Sequence, residues 1–217
     1  MRNNFENKLE ELNANLVEMG KMVNQSLSFA LGALTSKEEV HITYVLQQEE
    51  KINQFSSAIE QQALLLLLKE QPLARDFRFI SAAIRMNTDL ERIGDQAEDI
   101  AVLVQQMLTF GYREANLGSL QKMSEITQTM VSDAVRAFVE GDSALAYRAA
   151  AMDDAVDELF MQVREEIISE IREETIEANV VIDLLMIAKY LERSADHAQN
   201  IAEAVVYSIT GAMEKFS

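Results

Sequence analysis

Apolar residues recur at intervals of three and four along almost the whole chain, and only one proline and seven glycines interrupt its 217 residues. That interval paints one stripe down an α-helix. The opening segment carries the stripe as Phe5, Leu9, Leu12, Leu16, Met19, Val23, Leu27, Leu31 and Leu34. An all-β protein of this length needs many tight turns, and those turns draw on glycine, proline or Asn-Gly pairs. Eight such residues cannot punctuate a sandwich or a barrel. Apolar residues make up 48% of the chain, enough for a sizeable core. The pattern predicts an all-α fold.

Breaks in the stripe divide the chain into six long helices. The first stops near Thr35-Ser36-Lys37-Glu38, where Thr35 and Glu38 read as a capping box for the second. The second runs to about Lys69. Pro72 fits the first turn of the third, where a missing N–H costs nothing. The third runs to about Phe110, with Gly111 as its terminator. Residues 111–118 form the best linker. The fourth helix runs to about Glu140, and Gly141-Asp142 breaks the chain again. A fifth then runs to about Glu174 and a sixth from about Ile176 to Thr210.

The second half repeats the first. Residues 90–101 and 191–202 are identical at seven of twelve positions, at an offset of 101. The preceding hairpins match at an offset of 104, with Glu49 and Asn53 over Asp153 and Asp157. The core stripes of the third and sixth helices step 3-4-3-4 in register, the pattern of a bundle helix. The chain therefore reads as two tandem, internally duplicated three-helix bundles, residues 1–111 and 117–217. Gly94, Ala97 and Ala101, with Ala195, Ala198 and Ala202, put small side chains on a seam where a neighbouring helix could approach closely.

Composition narrows function. There are 36 acidic and 19 basic residues, a formal charge of -17, which argues against nucleic-acid binding by a basic surface. The absence of cysteine excludes disulfides, thiolate metal sites and cysteine nucleophiles. No signal peptide is read at the N-terminus and no apolar run approaches ~20 residues, so a cytoplasmic location is expected. No phosphate loop, nucleophile elbow or Ser/His/Asp set is present, and no catalytic residue is assigned.

One acidic pattern stands out. Glu91, Asp95 and Asp99 lie four residues apart on one side of the third helix, and Glu192, Asp196 and Asn200 occupy the same places in the sixth. Asp153 and Asp157 form another pair, with Glu49 and Asn53 as their weaker counterparts. Facing pairs would gather hard oxygen ligands for Mg, Mn or Fe. About six acidic i,i+4 pairs arise by chance at this acid content, so a solvated face is the competing reading. Recurrence at equivalent places raises the cation reading, and on pattern alone both stay open. Arg92 and Arg193 could pair with these acids. His197 is expected to face solvent. Glu38 and His41 give one Glu-x-x-His spacing with no second copy, short of a di-iron site. Arg75, Arg78 and Arg85 are expected to pair with Asp76 and Asp89, or else to form a basic spot.

The chain resembles the PhoU family of bacterial phosphate-signalling regulators. The resemblance rests on residues 72–78 (Pro-Leu-Ala-Arg-Asp-Phe-Arg), 89–95 (Asp-Leu-Glu-Arg-Ile-Gly-Asp) and 191–202, and covers essentially the whole chain. It implies two three-helix bundles and a non-enzymatic, often homodimeric regulator. It implies carboxylate-bound metal ions (Fe, Mn, Mg or Zn) held by Glu91, Asp95, Glu192, Asp196, Asp153 and Asp157. Asp99 and Asn200 extend the stripe less securely. At Glu49 and Asn53 the chain departs from the family's paired aspartates. The resemblance also implies partners: the ATPase of the phosphate-specific ABC transporter and its sensor histidine kinase, with the membrane reached only through them. The expected role is to keep the phosphate-starvation response off when phosphate is plentiful. A metal-free interaction bundle and a carboxylate-bridged metal enzyme are the alternatives.

Overall fold

A computed structural model describes residues 2–111, 118–173 and 177–216. Its helices are α1 (Arg2–Ser36), α2 (Glu39–Glu70), α3 (Ala74–Thr109), α4 (Gly118–Glu140), α5 (Ser143–Ala150), α6 (Asp153–Arg172) and α7 (Ala178–Thr210). The three-plus-three plan holds, with the fifth predicted helix divided into α5 and α6. Most of the linker, 112–117, and residues 174–176 lie outside the described residues.

The ends follow local chemistry, with three corrections. Thr35 is not a cap: it lies in the last turn of α1 and its hydroxyl donates to the Gly32 carbonyl at 3.0 Å. The cap position of α2 is Glu38, which makes no side-chain capping bond, while the Ser36 hydroxyl accepts the Glu38 N–H. Pro72 precedes α3 rather than opening it. Leu73 is extended at the cap, and the helix closes with Phe77 N–H to the Leu73 carbonyl. The break between α5 and α6 falls at Ala151-Met152, where Met152 N–H bonds the Ala149 carbonyl. Other ends are as read. Gly111, Gly141 and Gly211 adopt the positive φ that terminates a helix without a Cβ clash, and Asp142 caps α5 by accepting the Leu145 N–H. Gln71 ends α2 in the same left-handed conformation at φ 46, unusual for a residue with a side chain.

α1, α2 and α3 pack on one another, and α4, α5, α6 and α7 repeat that arrangement. The most extensive packing is α3 on α7, and α1 meets α4 on the opposite face. Both pairs run antiparallel. Arg85 lies over the Tyr207 ring, the Ser194 hydroxyl is 2.6 Å from Gln96 Oε1, and Asp99 meets Tyr190. On the other face Asn24 Nδ2 donates to the carbonyl of Gln128, its own counterpart in the second repeat. A pseudo-two-fold axis therefore passes between the repeats. Gly94 faces α2: a Cβ there would sit 3.2 Å from Ile52 Cγ2, so its absence sets the close α2–α3 approach. Among the described residues no helix is long and apolar enough to cross a membrane.

Candidate metal centre

Some of the duplicated acids lie within electrostatic reach of one another, in two groups between the second and third helix of each repeat. The second is the denser. Asp153 stands in the first turn of α6, and Asp196, Asp157, Glu192 and Asp154 all bear on it electrostatically. Partial burial comes first and these four charges add to it, pushing the Asp153 carboxyl up to about 6. Asp196 is raised as well, by burial and then by Glu192, against the lowering effect of Lys189 and His197. Gln199 Nε2 donates to Asp153 Oδ2 at 3.2 Å, and Lys189 forms an ion pair with Glu192.

The first cluster is looser. Asn53 donates to Glu49 across one turn of α2. From α3, Glu98 comes within electrostatic reach of Glu49. Glu98 is raised by burial, then by Glu49, Asp99 and Asp95. Arg92 reaches back to Asp95 at 3.1 Å, as the sequence allowed. Asn53 Oδ1 is buried without a partner. Glu98 was not among the predicted acids. It lies three residues after Asp95, off the four-residue spacing that picks out Glu91, Asp95 and Asp99.

Asp99 and Asn200 turn away from the clusters toward the seam between repeats. Tyr190 is raised by burial and then by the charge and hydrogen bond of Asp99. Asn200 Nδ2 lies 3.5 Å from Asp89 Oδ1. Asp89 and Tyr190 are themselves equivalent at the offset of 101, so the two contacts are one duplicated contact. His197 does not face solvent: its Nδ1 is 2.8 Å from Asp89 Oδ1 and both side chains are largely buried. His41 is engaged by Ser36 and Glu38, away from the clusters.

The donor set is hard carboxylate and amide oxygen, which fits Mg²⁺, Mn²⁺ or Fe better than soft ions. The raised Asp153 reflects its burial first and the negative charge of its neighbours second, and a cation would relieve the second. The side chains are not gathered into a coordination shell: among the described residues no three His, Asp or Glu side chains could hold a metal ion as they stand.

The PhoU domain model matches residues 16–104 and 120–205, one match per repeat. A phosphate-specific transport system accessory protein PhoU homolog 1 from Thermotoga maritima is 33% identical over 207 residues, 95% of this chain and 89% of that protein. A homologue from Streptococcus pneumoniae is 32% identical over 215 residues, 97% of each chain. Among solved structures, PhoU from Pseudomonas aeruginosa superposes with a TM-score of 0.90 at 30% identity, covering 96% of this chain and all of that one. The phosphate transport system regulatory protein PhoU from Streptococcus pneumoniae superposes at 0.88 and 30% identity, over 98% of this chain.

Proposed function

We propose, from the premise that this chain belongs to the PhoU family, that it is an accessory regulator of a phosphate transport system. The observation that carries this reading is the match of both repeats to the family, together with relatives named as accessory or regulatory proteins of phosphate transport over nearly their whole length. In this reading the protein works in the cytoplasm as a docking regulator rather than a catalyst. It associates with the transporter ATPase and a sensor histidine kinase, and holds the starvation response off when phosphate is plentiful.

The carboxylate clusters supply the second half of the proposal. Asp153, Asp157, Glu192 and Asp196 would hold a cation in the second repeat, and Glu49, Asp95 and Glu98 a weaker one in the first. Support comes from the crowding of charge on Asp153 and from the hard-oxygen donors. A bound cation would cancel that charge and stiffen the α6–α7 contact.

Two measurements test the reading. Co-purification from phosphate-replete cells should recover the transporter ATPase or the histidine kinase, and their reproducible absence would remove the adaptor role. Elemental analysis after gentle purification should find metal that falls in Asp153→Asn with Asp196→Asn. Unchanged metal content would overturn the assignment of the ligands, and no metal in either protein would favour a metal-free interaction bundle.

A further inference from the structure

The three arginines near the start of α3 behave differently from the sequence expectation. Neither Asp76 nor Asp89 pairs with them: Asp89 is committed to His197 and Asn200. Among the described residues Arg75, Arg78 and Arg85 take part in no ion pair. Carboxylates outnumber basic groups almost two to one in this chain, so these guanidiniums are not unpaired for want of acids. Two of them are held in place. Arg78 packs against Gly211, with its Nε buried and unpartnered, and Arg85 lies over the Tyr207 ring at 5.3 Å.

The same end of the molecule carries unusual apolar exposure. Leu68 is 75% exposed, Leu73 81% and Phe77 50%, all within the tip where α2 turns into α3. Leu73 at the cap and Phe77 in the first turn of α3 are exposed together, and Arg78 and Arg85, seven residues apart, lie on the side of α3 facing Gly211 and Tyr207. The counterparts of Arg78 and Arg85 in the second repeat are Asn179 and Met186. The basic edge therefore breaks the pseudo-symmetry and belongs to one end only.

We propose that this tip is the docking face for a transporter subunit, and that it receives an acidic segment with an apolar centre. The proposal rests on the accessory reading above and adds to it the surface and the partner's chemistry. Arginine and large apolar side chains are the residue types that concentrate binding energy at interfaces. Planar, pre-positioned guanidiniums suit bidentate carboxylates. An anionic lipid surface is the poorer occupant, because a chain of formal charge -17 is repelled from it outside the small patch.

The test uses the full chain and the phosphate-specific ABC transporter of the same organism in nanodiscs of phosphatidylglycerol and phosphatidylethanolamine, with empty nanodiscs beside them. Wild type should bind the loaded discs, more weakly as salt rises, and should ignore the empty ones. Arg75→Glu with Arg85→Glu, and separately Leu73→Ser with Phe77→Ser, should each weaken binding on the order of tenfold or more. All four positions are exposed, so melting temperatures should change little. Wild-type binding with both variants unaffected would overturn this assignment and leave the accessory reading intact. Equal binding to empty discs would overturn it in favour of lipid. No wild-type binding to either disc would remove the docking reading and this face with it.

Discussion

Replacing Asp153 by asparagine removes one charge from the crowded second cluster and keeps an oxygen for Gln199 Nε2 to donate to. The Asp153 carboxyl stands at about 6 in the folded protein against an ordinary value of 3.8. At full burial that difference is worth about 3 kcal/mol. Part of the carboxyl remains in water, and the first turn of α6 favours an anion, so about 1 kcal/mol is the working figure. The sign follows from linkage. A carboxyl that binds its proton more tightly when folded destabilises the fold once ionised. The penalty is absent below pH 3.8, grows between 3.8 and about 6, and is complete above that. Asp153→Asn in EDTA should therefore raise the melting temperature by roughly 2–4 °C at pH 7.5 and leave it unchanged near the acid limit. Thermal melts by circular dichroism across that range measure it. A destabilised variant at pH 7.5, or an equal shift at both pH values, would refute the electrostatic account of the cluster.

Three further outcomes follow from the packing. Gly94→Leu drives a side chain into Ile52, already 3.2 Å from where a Cβ would sit, and should cost about 1–3 kcal/mol in a urea titration. Gln71→Gly should stabilise by up to about 1 kcal/mol, because Gln71 holds a left-handed conformation that glycine adopts without strain, less what glycine's looser unfolded chain takes back. Asp142→Ala removes the acceptor for the Leu145 N–H and should cost about 1 kcal/mol, with hydrogen exchange rising first in α5.

The helices and their grouping in threes were legible, because a stripe at threes and fours has one physical solution, burial of one face, and the pattern recurs in the second half. Their interruption was not. Ala149-Ala150-Ala151-Met152 holds no glycine, proline or other breaker, and helix propensity there is high, so only tertiary packing of α5 and α6 on α4 and α7 can divide them. The carboxylate groups were found through a four-residue spacing that recurs in both repeats, and Glu98, three residues after Asp95, falls off that spacing. The same logic carried Asp99 and Asn200 into the ligand set, although each is turned to the opposite repeat. Contacts such as His197 with Asp89 join residues 108 apart in the chain, and no local pattern encodes them. Exposure at the α2–α3 tip was equally invisible, since no local pattern separates the exposed Leu68 and Phe77 from buried apolar residues.

The equivalence of the Asp89–Asn200 and Tyr190–Asp99 contacts has an evolutionary consequence. A single ancestral repeat pairing with an identical copy through its third helix would have made each of these contacts twice, with the same two residue types. Any mutation would then have struck both places at once. Fusion of two copies into one gene lifts that constraint. Asp89 and Tyr190 have since parted company, as have Asp99 and Asn200, and arginines could accumulate at one end without appearing at the other. A molecule that began with two interchangeable ends has become one with a front and a back.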